Sequence, residues 1–296
     1  MSIEPNFERL RLHAVPVATL LVALLIVWYA AAIGMNSAGA IERVLAPKGE
    51  WGALDLIDST WNMQRPILPA PHQIATDLWS SLVDWPIDSP RNLLYHAGVT
   101  AGAALTGFTM GVLLGLLLAV CIVHSRTLDK ALLPWIVASQ TIPVLAIAPI
   151  VLVILGTLGF SGLLPKATIA MYLCFFPVTV AMVQGLRSPQ KLEMELIHTY
   201  SASRVQTFWM LRLPASLPFL FPALRVAIAG GLVGTIVAEL PTGAQAGLGA
   251  RLLTGSYYGN TVQIWSALFM ASALGIVLTS AVALLEHLIV TRRRPA

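Results

Sequence analysis

The chain has 296 residues, of which 57% are hydrophobic and only 11% are charged. A soluble domain usually carries about 25% charged residues, so this composition excludes an ordinary soluble protein and indicates a membrane protein. The net charge of +4 does not indicate nucleic-acid binding, because no basic block is interleaved with aromatic residues. Cys121 and Cys174 both lie in apolar runs, which favours neither a disulfide framework nor a metal site.

Apolar runs long enough to cross a bilayer, about 20 residues, recur along the chain. They cover residues 14–34, 98–123, 131–157, 167–186, 217–240 and 264–290. The first run could instead be a signal peptide, because Arg9 and Arg11 precede it and "AGA" at 38–40 resembles a cleavage site. Its apolar part is longer than the usual ~7–15 residues, which favours an uncleaved helix. The predicted fold is an all-α, polytopic membrane bundle of about six transmembrane helices.

The basic residues predict the orientation, because cytoplasmic loops carry an excess of Lys and Arg. With the N-terminus inside, the inner segments hold Arg9, Arg11, Arg126, Lys130, Arg187, Lys191, Arg204, Arg212, Arg292, Arg293 and Arg294. The longer outer segments then hold Arg43, Lys48, Arg65, Arg91, Lys166 and Arg251. We therefore expect both termini in the cytoplasm, and residues 187–216 form the longest inner loop.

The outer segment before the second span contains one amphipathic pattern. Within residues 68–85, Ile74, Leu78, Leu82 and Trp85 recur at helical spacing. This pattern predicts a helix at the outer surface of the membrane. Several acidic residues gather in the same segment, and a solvated cap is a better interpretation of them than a ligand site.

The chain has no G-x-x-x-x-G-K-[ST] motif and therefore no phosphate-binding P-loop of its own. It also has no H-E-x-x-H or paired-cysteine motif for a metal. Gly247-Leu248-Gly249 is a loop signal and not a nucleotide fingerprint, since no strand precedes it. No cofactor is predicted.

Polar residues inside spans are costly and often functional. Arg225 and Glu239 approach membrane depth, but Arg225 could extend to the inner surface and Glu239 could reach water at the outer end. Structural and functional roles both stay open for them. Pro143, Pro149 and Pro177 break spans, and broken helices often line a pathway. Further candidates for such a lining are Gln140, Thr141 and Gln184, although ordinary interhelical hydrogen bonds explain them as well.

Small residues recur in the second span. Gly98 with Gly102, Gly107 with Gly111, and Gly111 with Gly115 form G-x-x-x-G pairs. Such pairs let helices approach closely in lipid, which predicts a packed bundle or a dimer.

The inner loop is predicted to form two short helices. Ser188 followed by Pro189 predicts a helix start, and Ser201-Ala202-Ser203 predicts a corner. Pro214 is expected to end the second helix. Apolar residues on both helices need a cover, which is either the ends of the spans or a partner protein.

The same loop resembles a family motif. Glu195, Ser201 and the run Leu211-Arg-Leu213-Pro214 fit the spacing E-A-A-x3-G-x9-I-x-L-P of permease subunits of bacterial ATP-binding-cassette (ABC) importers. Leu196 and Ile197 replace the two alanines, and Ser201 replaces the glycine, which questions the need for a left-handed backbone there. Four further segments resemble permeases of the nitrate, sulfonate, taurine and bicarbonate importers. They are "LPAPHQIATDLW" (68–79), "QTIPVLAIAPIVLVILG" (140–156), "ALRVAIAGGLVGTIVAEL" (223–240) and "AGLGARLL" (246–253).

The resemblance, which covers about residues 65–290, implies a type I importer permease in a bacterial inner membrane. It implies three protein partners: an ABC ATPase, a periplasmic or lipid-anchored substrate-binding protein, and a second permease chain in a homodimer. Membrane lipid surrounds the spans, and ATP hydrolysis belongs to the ATPase, so the chain itself is not an enzyme. Glu195, Ser201, Leu213 and Pro214 then belong to the ATPase-coupling motif, and Phe208 and Trp209 are our added candidates.

The implied organisation has three parts. Residues 1–97 are a first span with its outer segment, residues 98–290 are the permease core with coupling loop 187–216, and residues 291–296 are a basic tail. The implied substrate is a small solute of the nitrate, sulfonate or taurine class. The alternative is a pyrimidine, a thiamine precursor or a riboflavin-like compound, which the lack of a basic cluster within the spans slightly favours.

Two other classes of protein stay open from the residues alone. A stand-alone secondary transporter needs an ion-coupling site at mid-membrane, and the scarcity of charge in the spans argues against it. An intramembrane enzyme needs a nucleophile and a base at depth, and the spans contain no convincing Ser–His or Asp–Asp pair.

Overall fold

The computed structural model describes residues 5–241 and 244–291. Those residues form helices joined by turns and loops, with no strand among them, which confirms the predicted all-α class. The α-helices are α1 (Pro5–Ala40), α2 (Ala53–Trp61), α3 (Pro71–Val83), α4 (Leu93–His124), α5 (Arg126–Ser139), α6 (Val144–Thr157), α7 (Leu163–Leu186), α8 (Lys191–Thr199), α9 (Arg204–Thr207), α10 (Leu213–Glu239), α11 (Leu248–Tyr257) and α12 (Thr261–Thr291). A π-helical turn at Phe208–Arg212 joins α9 to α10.

Five continuous helical stretches of the described chain are long and apolar enough to cross a membrane. They are Val15–Lys48, Leu93–His124, Leu163–Leu186, Arg204–Glu239 and Thr261–Ile289. The helices α5 and α6 form a sixth candidate that is bent by 102°. The third predicted span, 131–157, is therefore not one straight helix. Pro143 is the N-cap of α6, and a proline disfavours helical geometry in the residue before it, which ends α5 and its turn at that point.

Packing divides the chain into two compact units: residues 1–87 with 252–268, and residues 88–251 with 269–296. In the first unit, Asn36 on α1 is 1% exposed and holds the segment that follows α2. Its side-chain nitrogen donates to the carbonyl of Leu68 at 2.8 Å, and its oxygen accepts from the N–H of Ile67 at 2.7 Å. These hydrogen bonds fix the start of α3 against α1. The functional division at residue 97 stays a prediction, and residues 292–296 of the expected tail lie outside the described chain.

The predicted amphipathic helix is present as α3. Pro71 occupies its first turn, where a missing N–H costs nothing, and the side chain of Gln73 accepts from the N–H of Ala70 at 3.0 Å. Ile74 is buried, but Trp85 lies beyond the helix and is exposed. The apolar face is thus shorter than the sequence pattern predicts, and a position at the membrane surface stays a prediction.

The second unit is built on α4, α7 and α10. Gly107, Gly111 and Gly115 of α4 are buried, and a Cβ atom on any of them would overlap α7. Their small size lets the two helices meet at backbone distance. The G-x-x-x-G pairs from 107 to 115 therefore pack two helices of the same chain. Gly98 and Gly102, in contrast, have no atom within 4 Å of where a Cβ would lie.

Candidate functional site

The segment between α7 and α10 begins its first helix later than predicted. α8 starts at Lys191, and its N-cap is Gln190, whose N–H donates to the carboxylate of Glu193 at 2.8 Å. The Ser188 hydroxyl instead donates to the carbonyl of Gly185 at 2.8 Å, at the end of α7. The predicted start at Ser188-Pro189 is wrong because Ser188 is used to close one helix and not to open the next.

The corner after α8 has a left-handed residue. Ser201 has φ +53°, and it is the one non-glycine residue with positive φ in the described chain. Its N–H donates to the carbonyl of His198 at 2.9 Å, and the N–H of Ala202 donates to that of Ile197 at 3.4 Å. This pair of bonds is a Schellman motif with Ser201 at the position where glycine is usual. The corner therefore keeps the left-handed backbone although serine replaces the glycine.

Pro214 does not end the second helix. The helical stretch runs from Arg204 to Glu239 without interruption. A proline inside an α-helix clashes with the carbonyl four residues earlier, but here the turn before it is π-helical, and Leu213 donates its N–H to the carbonyl of Phe208. The wider π-helical turn changes the pattern of backbone hydrogen bonds just before the ring of Pro214. The helix therefore continues through Pro214 into α10.

The predicted coupling residues divide by exposure. Phe208 and Leu213 are half-buried and pack against the core of the second unit, with the Phe208 ring 5.5 Å from that of His124 at the end of α4. Glu195, Ser201, Trp209 and Pro214 are exposed. The exposed apolar residues of the loop are Leu192, Leu196, Tyr200, Val205, Trp209 and Met210. Two side chains thus anchor the loop, and an apolar face is left uncovered.

A polar cluster lies at the other end of α10. Glu239, its last residue, is completely buried, which excludes the alternative that it reaches water at the outer end of the span. Its carboxylate accepts from the Thr100 hydroxyl on α4 at 2.9 Å and from the N–H of Gly249 at 2.9 Å. It also forms an ion pair with the ammonium group of Lys166 on α7 at 3.2 Å. Glu239 therefore joins α10 to α4, α7 and the first turn of α11.

Lys166 and Glu239 both lie at helix ends of unfavourable polarity. Lys166 is in the first turn of α7, where the helix dipole is positive, and Glu239 is at the C-terminus of α10, where it is negative. Neither placement stabilises its own helix. The ion pair between the two residues compensates for these unfavourable positions. Lys166 also donates a second hydrogen bond, to the carbonyl of Ala246 at 2.7 Å.

The loop before α11 closes over this pair. The N–H of Leu248 donates to the Thr100 hydroxyl at 2.8 Å, and that of Gly247 donates to Nδ1 of His96 at 3.0 Å. The ring proton of His96 therefore lies on Nε2, which donates to the carbonyl of Pro90 at 2.8 Å. Gly247 has φ +127°, and a Cβ atom there would overlap the Glu239 carboxylate. The sequence Gly247-Leu248-Gly249 thus marks the point where the backbone of this loop approaches the Glu239 side chain closely.

Beside the pair is a cavity of about 880 Å³ between α4, α6, α7 and the loop after α10. We call it the Lys166 cavity. Its lining consists of Tyr95, Gly98, Val99, Gly102, Ala103, Pro149, Leu152, Val153, Gly156, Phe160, Ser161, Gly162, Leu163, Pro165, Lys166, Ala238, Pro241, Ala244, Gln245 and Ala246. Its volume lies within the range of about 300–1,000 Å³ that is usual for small-molecule sites.

The predicted pathway residues are dispersed. Gln140 and Thr141 are exposed at the turn between α5 and α6, and Gln184 is exposed near the end of α7. Arg225 forms an ion pair with Glu286 of α12. None of these lines the Lys166 cavity, and Glu239 is adjacent to it through Ala238 and Lys166.

The sequence reasoning missed Lys166, Thr100 and His96 as site residues. Lys166 was assigned to an outer loop because it precedes the apolar run that starts at 167. One signal was present: Lys166 and Glu239 are opposite charges at span ends that the predicted topology places on the same side of the membrane.

Comparison with known proteins gives the family. Residues 111–295 match the model described as "Binding-protein-dependent transport system inner membrane component". The chain is 32% identical over 231 residues to the formylaminopyrimidine transport permease protein of Halalkalibacterium halodurans, covering 77% of this chain and 86% of that protein. It is 33% identical over 224 residues to the riboflavin transport system permease protein of Chloroflexus aurantiacus, covering 76% and 80%. A putative aliphatic sulfonates transport permease protein of Bacillus subtilis is 26% identical over 236 residues, covering 80% and 79%.

The described part of the chain contains five to six helices of membrane length, and the chain matches such permeases over most of its length. The chain belongs to the family of binding-protein-dependent ABC importer permeases of the inner membrane.

Proposed function

We propose that this permease couples its substrate pathway to a separate ATPase through residues 191–214. The uncovered apolar face of α8, α9 and the π-helical turn carries the proposal. Leu192 is 74% exposed, Leu196 is 59% exposed and Trp209 is 62% exposed, in a segment that contains Glu195 and Arg204 and is therefore too polar for lipid. An amphipathic helix of this kind fits an apolar groove on a partner protein.

The continuous helix from Arg204 to Glu239 supplies the mechanical connection. It has 36 residues, and at about 1.5 Å per residue it is roughly 54 Å long. Phe208 and Leu213 pack its first part against the core of the unit, so a force on α8 is transmitted to the core rather than lost in a loop. Glu239 is at the far end, beside the Lys166 cavity. Motion of the docked loop thereby reaches the polar cluster.

The partners follow from this function. The ATPase supplies hydrolysis, a periplasmic or lipid-anchored binding protein delivers the substrate, and a second copy of this chain completes the pathway. We place both termini in the cytoplasm, which sets residues 191–214 on the side where ATP is available and the Lys166 cavity on the side of the binding protein.

We propose an uncharged organic solute as the substrate, in place of the nitrate, sulfonate or taurine class that the segment resemblance first implied. Permeases named for formylaminopyrimidine and riboflavin are 32% and 33% identical to this chain. Those named for aliphatic sulfonates and nitrate are 26% and 22% identical. The Lys166 cavity, with Tyr95 and Phe160 in its wall, has aromatic surface suited to a flat ring.

Replacing Trp209 tests the coupling. The importer is purified from native membranes through a tag on this chain and reconstituted in liposomes with its binding protein. We expect Trp209→Ala to reduce the retained ATPase subunit and to lower ATP-driven uptake at least about tenfold, because truncation of a central aromatic anchor typically costs about 2 kcal/mol or more.

Trp79→Ala is the matched control, since Trp79 on α3 is 69% exposed and lies outside the loop. Its uptake should equal that of the unmodified chain. Uptake that persists without any ATPase in the liposomes, and that an ionophore abolishes, would instead establish a secondary transporter.

A further inference from the structure

The Lys166 cavity is nearly free of charge. Among the lining residues that the structure describes, Lys166 is the one Lys, Arg, Asp or Glu. The carboxylate of Glu239 lies 3.2 Å from its ammonium group and is itself completely buried. An ion pair and its proton-transferred form have the same net charge of zero. The wall therefore has no net charge to attract an anion.

Lys166 still offers a directional hydrogen bond. An ammonium group has three donors, and the structure uses one on Glu239 and one on the carbonyl of Ala246 at 2.7 Å. The third is left for the cavity that Lys166 lines. A carbonyl oxygen or a ring nitrogen of a solute accepts such a bond without a charge of its own.

The remaining wall is suited to a flat and largely apolar molecule. Tyr95 and Phe160 present aromatic rings, and Ser161 and Gln245 add neutral polar groups. Gly98, Gly102 and Gly156 have open space where a side chain would lie, so the wall is smooth on the side of α4 and α6. Pro149, which lies inside the continuous helix α6 and does not break it as predicted, is part of the same wall.

We propose that the Lys166 cavity binds an uncharged planar solute and that Glu239 determines this selectivity by cancelling the charge of Lys166. The proposal rests on the proposed function, because such a solute would be the cargo of the importer. Glu239 is placed for this role, because its buried carboxylate lies 3.2 Å from the ammonium group of Lys166. Loss of the Glu239 charge should therefore turn a neutral chamber into one that attracts anions.

The charge of the cavity is measurable with a single cysteine. Gly102→Cys enters open space, and Cys121→Ser removes the half-buried native thiol, while Cys174 is fully buried. The full chain in lipid nanodiscs is treated with methanethiosulfonate reagents that bear either an ammonium or a sulfonate group. We expect Glu239→Gln to raise the rate with the sulfonate reagent, relative to the ammonium reagent, about tenfold, and added salt to reduce this change.

Asp129→Asn is the control, because it breaks the ion pair of Asp129 with Arg187 at the opposite end of α7 and should leave the rate ratio unchanged. The double replacement of Lys166 and Glu239 by Met removes both charges and should restore the ratio of the unmodified pair. A ratio that Glu239→Gln does not change overturns the charge argument.

Binding is tested with riboflavin and riboflavin 5′-phosphate, two fluorescent probes with the same ring and different charge. On the full chain in nanodiscs we expect riboflavin to bind at least about tenfold more tightly than its phosphate, and Glu239→Gln to narrow this difference. Gly102→Leu fills the cavity without touching the ion pair and should abolish binding of riboflavin. Gly34→Leu, also into open space but outside the cavity, should not.

Two results would reject the binding site: no binding of riboflavin to the unmodified chain, or equal binding after Gly102→Leu. If Glu239→Gln does not fold, the Gly102→Leu result still decides whether the cavity is the binding site, and the preference of the unmodified chain for riboflavin over its phosphate still tests the neutrality of the wall. Neither measurement needs an ATPase. A failure here therefore leaves the coupling proposal standing, and a failure of the Trp209 test leaves the cavity results unaffected.

Discussion

Ser201 shows how one residue can keep a backbone conformation that its own side chain disfavours. A left-handed conformation costs a non-glycine residue about 1–2 kcal/mol. Two hydrogen bonds of the Schellman motif offset that cost, and both use backbone atoms only. The conformation at the corner is therefore set by the way α8 ends, and the side chain at position 201 is free within steric limits.

Replacements at Ser201 should separate small from β-branched residues. Ser201→Gly removes the steric cost but adds chain entropy of about 0.5–1 kcal/mol, so we expect stability and ATP-driven uptake close to those of the unmodified chain. Ser201→Val places a β-branched residue in left-handed geometry, which is an outlier. We expect it to reorient α8 and to lower uptake about tenfold.

The measurement for Ser201 is uptake in liposomes together with hydrogen exchange of residues 196–204. Thr199→Val is the control, because it introduces the same side chain two residues earlier, in the helical part of α8. Equal uptake for Ser201→Gly and Ser201→Val would show that the left-handed corner has no part in coupling.

Residue types predicted the corner after α8, but not the pairing of Lys166 with Glu239. Pro, Gly and Ser act locally, so their positions predict turns from a few neighbours. Glu239 meets Thr100 and Lys166 across 139 and 73 positions of sequence. A charged residue at the end of a span is ordinarily explained by contact with water. Only the packing of three helices reveals that Glu239 is buried.

At the scale of elements, α4 has two functions on two faces that both carry glycines. Its second half packs against α7 through Gly107, Gly111 and Gly115, whereas its first half, at Gly98 and Gly102, lines the Lys166 cavity. The sequence predicts close packing equally for all of these positions. The difference arises because Gly102 and Gly111 are nine residues apart, which at about 100° per residue puts them on opposite sides of α4, and only the side of Gly111 faces α7.

The two halves of α4 should respond differently to the same substitution. Gly111→Leu forces a side chain into the backbone of Met171 and the Cβ of Cys174, and we expect destabilisation of about 3 kcal/mol or more. Gly102→Leu enters open space and replaces a poor helix former, so we expect unfolding at or above the temperature of the unmodified chain.

Thermal unfolding in detergent micelles, followed by intrinsic tryptophan fluorescence, distinguishes these variants of α4. The monodisperse yield after gel filtration gives an independent measure. If both variants lose stability to the same extent, the open space beside Gly102 is filled in the assembled protein and the Lys166 cavity is not available to a solute.

The helices around Pro214 and Pro143 show that a proline does not always end a helix. Pro214 is expected to end a helix, but a π-helical turn before it lets the chain continue to Glu239. Pro143 follows the expectation, because there the bonding before the ring is broken and the helix axis turns by 102° between α5 and α6. An apolar residue directly precedes each proline, Leu213 before Pro214 and Ile142 before Pro143. Phe208 and Leu213 pack against the core and hold the helix at Pro214 in line, whereas Ile142, directly before Pro143, is 50% exposed.

At the scale of the whole molecule, the proposals require the coupling loop and the Lys166 cavity to lie on opposite sides of the membrane. The chain between them is one helix from Arg204 to Glu239, whose length of roughly 54 Å exceeds the hydrocarbon thickness of about 30 Å. Its ends therefore lie in different aqueous phases if the helix spans. The excess of basic residues in the inner segments predicts which phase each end meets.

Accessibility of two single cysteines decides the orientation. Tyr200, 78% exposed beside the corner of α8, and Gln245, exposed on the loop after α10, are each replaced by Cys in a chain that carries Cys121→Ser. In cells with a permeabilised outer membrane, a membrane-impermeant maleimide should modify Gln245→Cys within minutes. Tyr200→Cys should react only after the inner membrane is also opened. The reverse pattern would place the exposed apolar face of α8 away from ATP, and the ATPase could not dock on it.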